Sequence, residues 1–195
     1  MALSTTLRSS LAALSLLALA HDARADDTIK TPGDHPTYTI ELEPHLLFGW
    51  ANLYGGSGYG IGGRGSIPIV QNGFIPSINN SVAISFGIDL LHYDFCYFGG
   101  NRGCGANFLF FPVAMQWNFF VHSKWSVFGE PGLYLYKGFF DSFCDNLPAN
   151  IPCATPHTFG VQPMFNVGGR YHFSEHVALT VRVGYPTFSL GVSFM

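Results

Sequence analysis

The sequence predicts an all-β protein, an eight-stranded antiparallel up-and-down barrel that crosses a membrane. Three observations lead to this prediction. Apolar and polar residues alternate along eight segments of the chain, which is the pattern of strands with two different faces. Charged residues make up only 11% of the sequence, against roughly 25% in soluble domains. Beyond the N-terminal leader, no apolar run approaches the ~20 residues that a membrane helix needs.

The N-terminus has the layout of a secretory signal peptide. Arg8 is followed by an apolar stretch at residues 11–20 and then by Ala23-Arg24-Ala25, the small-residue pattern of a cleavage site. An amphipathic surface helix is the alternative, but the short apolar stretch and the cleavage site fit export better. We expect residues 1–25 to be removed, residues 26–36 to form a short periplasmic segment, and residues 37–195 to form the barrel.

The first three segments place apolar residues at every second position. The first of them spans residues 37–50, and it is predicted to be strand 1 in full. Alternation with period two puts all the apolar side chains of a strand on one face. These apolar positions are Tyr38, Ile40, Leu42, Pro44, Leu46, Phe48 and Trp50 in the first segment, Tyr59, Ile61, Ile67 and Ile69 in the second, and Val82, Ile84, Phe86, Ile88 and Leu90 in the third.

The next three segments repeat the pattern, and polar or small residues occupy the intervening positions. The apolar positions are Leu109, Phe111, Val113, Met115, Trp117, Phe119 and Val121 in the fourth segment, Trp125, Val127, Pro131, Leu133 and Leu135 in the fifth, and Phe159, Val161, Phe165, Val167, Tyr171 and Phe173 in the sixth.

The last 19 residues alternate as well, and the phase of the alternation changes after Pro186. The tight link Gly184-Tyr185-Pro186-Thr187 predicts a hairpin between two strands. This hairpin brings the expected number of strands to eight.

The composition decides which face of these strands is inside. A soluble sandwich would pack its apolar face into a core and expose the charged face to water. That arrangement needs many charged surface residues, and the whole chain has nine Lys and Arg. In a membrane barrel the apolar face contacts lipid, the polar face fills the interior, and closure leaves no unpaired sheet edge. We therefore expect the apolar side chains to point outward.

The four cysteines fall in the two longest connections, after strands 3 and 5. With a periplasmic N-terminus, both connections lie outside the cell, and the short links at residues 121–125 and 172–176 lie on the periplasmic side, as is usual for such barrels. The link at residues 71–81 is long for a periplasmic turn. Four cysteines allow three pairings. We favour Cys96–Cys104 and Cys144–Cys153, since each pair closes its own loop in an exported protein; a zinc site would need shorter spacings.

The end of the chain carries the most specific motif. Ser189-Leu190-Gly191-Val192-Ser193-Phe194 follows the order polar, any, Gly, hydrophobic, any, aromatic. In this respect the chain resembles the small eight-stranded outer-membrane barrels of Gram-negative bacteria, of the OmpX, OmpA-transmembrane and OmpW kinds. It departs from them in ending on Met195 rather than on the aromatic residue. The positions that match the assembly signal of these proteins are Ser189, Gly191, Val192 and Phe194.

The resemblance implies a location and a set of partners. The location is the bacterial outer membrane, reached after export through the inner membrane. The partners are lipopolysaccharide, phospholipid and the barrel-assembly machinery, and a monomer is expected. No basic patch suggests nucleic acid. No dinucleotide cofactor is expected, because the glycines of residues 58–63 lie in a strand rather than in a dinucleotide-binding turn. No metal is expected, because the histidines are scattered over different segments without metal-ligand spacing.

A set of charged and polar residues is predicted to face the barrel interior. An eight-stranded barrel has room only for its own side chains, and charges in a confined interior must pair. We expect a plug of ion pairs that blocks the pore. The alternative is a path for protons or small solutes. The members of the set are Glu41, Glu43, His45, Arg64, Asp89, Glu130, Arg170, His172 and Arg182.

Three functions are consistent with the sequence. The first is a non-enzymatic membrane barrel that displays two disulfide-closed loops, with a role in surface interaction or envelope integrity. The second, implied by the resemblance to the OmpW kind, is a carrier or channel for a small hydrophobic ligand. The third, a lipid-modifying enzyme using residues among His172, Ser174, Glu175 and His176, is disfavoured because polar residues are expected in a tight turn anyway. The candidate ligand pocket of the second function consists of Leu91, Phe108, Phe110, Tyr134 and Tyr136.

Overall fold

The computed structural model describes residues 28–50, 57–94, 105–140 and 159–195 of the chain. A 3₁₀ helix at Thr28–Lys30 precedes the strands. The strands are β1 (Glu41–Gly49), β2 (Gly58–Val70), β3 (Asn80–Asp94), β4 (Gly105–His122), β5 (Trp125–Phe140), β6 (Phe159–His172), β7 (Val177–Gly184) and β8 (Thr187–Phe194). No helix within the described ranges is long and apolar enough to cross a bilayer.

The eight strands form a closed barrel in which each strand pairs with its neighbours in sequence. Every pair is antiparallel, including the closing pair of β1 with β8. At this closing seam, Leu42 is opposite Phe194 and Gly49 is opposite Thr187. The predicted fold class, an eight-stranded up-and-down barrel, is confirmed.

The two ends of the barrel differ in the segments that they carry. The proximal end carries residues 28–40, the C-terminus, and the links β2–β3, β4–β5 and β6–β7. The distal end is the one at which β3 and β5 end and β4 and β6 begin.

The alternation in the sequence separates an apolar outer wall from a polar interior. Ile61 and Phe165 are each 62% exposed on the outside, whereas Glu130 on the neighbouring inward position of β5 is completely buried. A wall of this composition is suited to lipid, because exposed hydrocarbon in water is unfavourable and lipid-facing strands of barrels carry an apolar band.

The structure corrects the prediction for the beginning of β1. The strand begins at Glu41 rather than at residue 37. The reason is that β8 ends at Phe194, which pairs with Leu42, so residues before Glu41 have no partner strand on that side. Tyr38, expected on the outer face, instead donates a hydrogen bond from its hydroxyl to Oε2 of the inward Glu41, at 3.4 Å.

Val82 lies on the outer face as predicted, but its side chain is fully buried rather than exposed on the outer wall. Val82 lies beside Trp117 in the register of β3 and β4. The link before β3 folds back over this part of the wall: Phe74 packs edge-on against Trp117, and the Trp117 indole N–H donates to Oδ1 of Asn80 at 3.0 Å. Such contacts are not periodic, so alternation could not reveal them.

Candidate functional site

The candidate site is the polar interior of the barrel. The structure buries all nine side chains of the predicted interior set, and none of them is more than 6% exposed. Six strands supply them: Glu41, Glu43 and His45 come from β1, Arg64 from β2, Asp89 from β3, Glu130 from β5, Arg170 and His172 from β6, and Arg182 from β7.

Arg182 and Glu130 form the centre of this interior. The Arg182 guanidinium donates to Glu130 through Nε at 2.8 Å and through Nη2 at 3.2 Å. It also donates two hydrogen bonds, of 2.6 and 3.0 Å, to the Glu43 carboxylate. Two-pronged guanidinium–carboxylate contacts are the strongest of the charge-assisted hydrogen bonds. Arg182 therefore ties β7 to both β1 and β5 across the barrel.

Arg64 extends the cluster to the other side of the interior. It donates to Glu130 at 3.2 Å and to Asp89 at 3.3 Å. Asp89 in turn lies 3.0 Å from Nε2 of His45, whose Nδ1 lies 3.5 Å from the Glu43 carboxylate. The contacts close on themselves and form a ring of six side chains, here called the ionic ring: Glu43, Arg182, Glu130, Arg64, Asp89 and His45.

A second ion pair lies on the proximal side of the ionic ring. Arg170 contacts Glu41 at 2.8 Å and donates to Oδ1 of Asn118, also at 2.8 Å. The ring of Phe128 lies between the two groups of charges, 4.6 Å from the Arg170 guanidinium and 5.1 Å from that of Arg182. Phe128 thus contributes cation–π contacts that its apolar character alone did not reveal in the sequence.

His172 is separate from the ionic ring. Its Nε2 is 3.0 Å from the hydroxyl of Ser126, and both residues are buried. Ser174 and Glu175 lie in the exposed β6–β7 turn, where the Ser174 hydroxyl accepts a hydrogen bond from the backbone N–H of His176. The inward contact of His172 with Ser126 therefore does not support the arrangement required for a hydrolase.

The residues of the candidate ligand pocket pack against one another on the distal side of the ionic ring. The ring centroid of Phe110 lies 5.5 Å from that of Tyr134, 5.8 Å from that of Tyr136 and 5.9 Å from that of Phe108. Leu91 belongs to the same cluster and is fully buried. We call this set the aromatic cluster; its other members are Leu47, Tyr93, Ala114 and Met164.

A recess of about 650 Å³ lies on the outer wall over β2, and the outward side chains of Leu42 and Phe86 line it. Gly63 and Gly65 contribute no side chains to this part of the outer wall.

The residues of the predicted assembly signal lie on β8 along the closing seam. Ser189 is buried beside Arg182, and Phe194 is half exposed on the outer wall. A Cβ at Gly191 would lie 2.7 Å from the Cβ of His45 and 2.8 Å from the carbonyl oxygen of Pro44. Only glycine allows β8 to approach β1 this closely. The fourth residue, Val192, is partly exposed on the outer wall.

The four cysteines lie outside the described residues, so Cys96, Cys104, Cys144 and Cys153 and their pairing stay a prediction. Among the residues that the structure describes, no three His, Cys, Asp or Glu side chains are placed to hold a metal ion.

Comparisons with known proteins give solved structures but no sequence relatives. No protein-family model and no curated protein sequence matches the chain. The attachment invasion locus protein Ail of Yersinia pestis, solved with the heparin analogue sucrose octasulfate, has 12% identity and a TM-score of 0.46, over 80% of this chain and 95% of Ail. Neisserial surface protein A has 11% identity and a TM-score of 0.40 over the same shares. In its closed ring of eight antiparallel strands and its apolar outer wall, the chain has the fold of the small outer-membrane barrels.

Proposed function

We propose that the protein is a non-enzymatic anchor in the bacterial outer membrane that displays residues 95–104 and 141–158 at the cell surface, where they act in surface interaction or envelope integrity. The observation that carries this proposal is the filled interior. The ionic ring joins five of the eight strands, and the aromatic cluster packs above it towards the distal end. A barrel filled at two levels favours anchoring over transport.

The proposal includes the partners expected of such a barrel. The apolar wall contacts phospholipid and lipopolysaccharide, β8 presents its terminal motif to the barrel-assembly machinery, and the closed sheet leaves no edge strand that requires a second copy. The exposed loops would be closed by the pairs Cys96–Cys104 and Cys144–Cys153. Export through the inner membrane would remove residues 1–25.

Surface labelling tests the display of the loops. Whole cells are treated with a mild reductant and then with a membrane-impermeant maleimide. We expect the native cysteines to react, and a single cysteine introduced by Ser123→Cys, in a variant whose four native cysteines are serine, to stay unlabelled in intact cells. Labelling of Ser123→Cys combined with protection of the native cysteines would show that the barrel has the opposite orientation.

Loop replacement tests whether the loops carry the function. Residues 95–104 and 141–158 are each replaced by a short glycine-serine turn, and the folded state is checked by heat-modifiable electrophoresis. We expect the variant to assemble normally while cells lose adhesion to host surfaces or resistance to detergent. A loop-replaced barrel that preserves both properties would contradict the proposal.

A carrier for a small hydrophobic ligand is the second candidate, and the aromatic composition of the distal interior is the observation in its favour. A ligand would have to displace packed rings such as Phe110 and Tyr134, which are both nearly inaccessible. Mass spectrometry of the protein purified from membranes would identify a bound apolar ligand. A ligand that is retained by the native protein and lost on Phe110→Ala would favour the carrier.

A further inference from the structure

The N-terminal segment before β1 is folded against the proximal end of the barrel. The Thr28 hydroxyl donates to the carbonyl oxygen of Phe120 at 3.1 Å. Asn79 binds the segment twice, because its backbone N–H donates to the carbonyl oxygen of Ile29 and its side-chain amide donates to that of Asp34, both at 2.7 Å. The segment is thus fixed to β4 at Thr28 and to the β2–β3 link at Ile29 and Asp34.

His35 places an aromatic ring over the opening of the interior. Its imidazole stacks on the ring of Phe120, with centroids 4.4 Å apart and planes 9° from parallel. Phe120 faces inward, is 5% exposed, and its ring lies 6.4 Å from that of the buried His172. His35 is held in this position by a 3.0 Å contact between its Nε2 and the carbonyl oxygen of Gln71.

Tyr38 continues the segment to the edge of the ion pair. Its hydroxyl donates to Glu41 at 3.4 Å, and the same carboxylate pairs with Arg170 at 2.8 Å. Burial raises the pKa of the Tyr38 hydroxyl above its usual range, and the neighbouring Glu41 carboxylate acts in the same direction. Tyr38 is therefore a neutral hydrogen-bond donor that faces the interior.

We propose that residues 28–38 are a built-in stopper, which closes the proximal mouth of the barrel and keeps water away from the Arg170–Glu41 ion pair. Both partners of this pair are almost completely buried, and the attraction between charges weakens strongly when water enters. The stopper is a third closure, separate from the ionic ring and the aromatic cluster. It does not depend on what the distal loops bind.

Proton exchange at Arg170 tests the stopper directly. The side-chain Nε–H of Arg170 is buried, so its exchange with solvent requires that water reach the proximal interior. The protein from residue 26 onward is refolded in micelles, and NMR compares it with a variant that lacks residues 28–36. We expect Arg170 Nε–H exchange to be about tenfold faster in the truncated variant, because exchange reports how often a site opens to water. The internal control is the Nε–H of Arg182, which is bonded to Glu130 in the ionic ring and should be unchanged.

A milder variant keeps the test decisive if the truncated protein fails to fold. His35→Ala with Asn79→Ala removes the stack on Phe120 and the bond to Asp34 while the backbone stays complete. We expect Arg170 exchange to accelerate in this variant as well. The matched control is Asp34→Ala, since Asp34 is exposed and only its backbone carbonyl contacts Asn79. Unchanged Arg170 exchange in a folded truncated protein, or in the double variant, would overturn the proposal.

Discussion

Glu130 shows at the scale of one residue how the interior tolerates charge. This fully buried carboxylate receives hydrogen bonds from Arg182, Arg64 and the side-chain amide of Asn166. Each guanidinium that it binds has a second carboxylate partner, Glu43 for Arg182 and Asp89 for Arg64. Removing Glu130 would leave each cation with one carboxylate and would leave Nε–H of Arg182 and an Nη1–H of Arg64 without an acceptor at the centre of the barrel.

We expect Glu130→Ala to lower the free energy of unfolding by about 3–5 kcal/mol, the usual consequence of removing one partner of a buried ion pair. Urea titration of the protein in lipid vesicles measures this change. The matched control is Glu175→Ala, which removes the same side chain from the exposed β6–β7 turn and should leave stability unchanged. Equal effects of the two substitutions would mean that the ionic ring contributes nothing to the fold.

Val113 provides the corresponding test on the outer wall. It lies in the middle of β4 and is half exposed on the outer face. Arginine at the bilayer midplane of a barrel costs about 2–4 kcal/mol, and arginine near the interface costs about 0–1 kcal/mol. We expect Val113→Arg to lower the free energy of unfolding by about 2–4 kcal/mol. Val121→Arg, on the same face near the proximal end of β4, should lower it by about 0–1 kcal/mol. Urea titration in vesicles compares them, and identical costs would contradict the membrane depth assigned to Val113.

At the scale of the strand, the sequence was sufficient where contacts are periodic. Alternation assigned the outward faces of Ile61, Val113 and Phe165 correctly, because neighbouring strands repeat the same spacing. It failed for Tyr38, and it did not reveal that Val82, although on the outer face, is covered, because both positions depend on the N-terminal segment or the β2–β3 link. These two segments make single, non-repeating contacts, such as the stack of His35 on Phe120. Alternation of apolar and polar residues cannot predict contacts of this kind.

The candidate site was predictable to a similar degree. Inward charges such as Arg64 and Glu130 could be identified from the faces of their strands, and the requirement that buried charges pair predicted an ion-pair plug. The particular partners could not be identified, because they depend on which strands lie opposite one another across the barrel. The place of Phe128 between Arg170 and Arg182 is an example that only the closed structure provides.

The strand β8 is the element on which closure depends. It pairs with β1 from Gly49 to Leu42, and without it both β1 and β7 would present unpaired backbone groups to lipid, at a cost of several kcal/mol for each group. We expect deletion of residues 191–195 to abolish assembly. Heat-modifiable electrophoresis of outer-membrane fractions measures the folded fraction.

Two smaller changes at the end of β8 separate assembly from stability. Deletion of Met195 alone removes one backbone hydrogen bond, from its N–H to the carbonyl oxygen of His176, and should have little effect. Phe194→Ala should slow insertion in cells more than it lowers the stability of refolded protein, since Phe194 is the aromatic residue of the predicted signal. If deletion of Met195 proves as harmful as Phe194→Ala, the signal has a different register.

In the whole molecule, three features of the interior block passage through the barrel. The aromatic cluster fills the distal part, the ionic ring crosses the middle, and residues 28–38 cover the proximal mouth. Strands and side chains together thus give a barrel that is apolar outside and filled inside. We therefore propose a barrel that anchors surface loops and does not conduct.

Planar-bilayer recording of the purified, refolded protein measures whether the barrel conducts. We expect no conductance steps above the background of the lipid, both for the full protein and for the variant without residues 28–36, because the ionic ring and the aromatic cluster remain in place. Stable conductance steps from the unmodified protein would show that the interior is open and would identify the barrel as a channel.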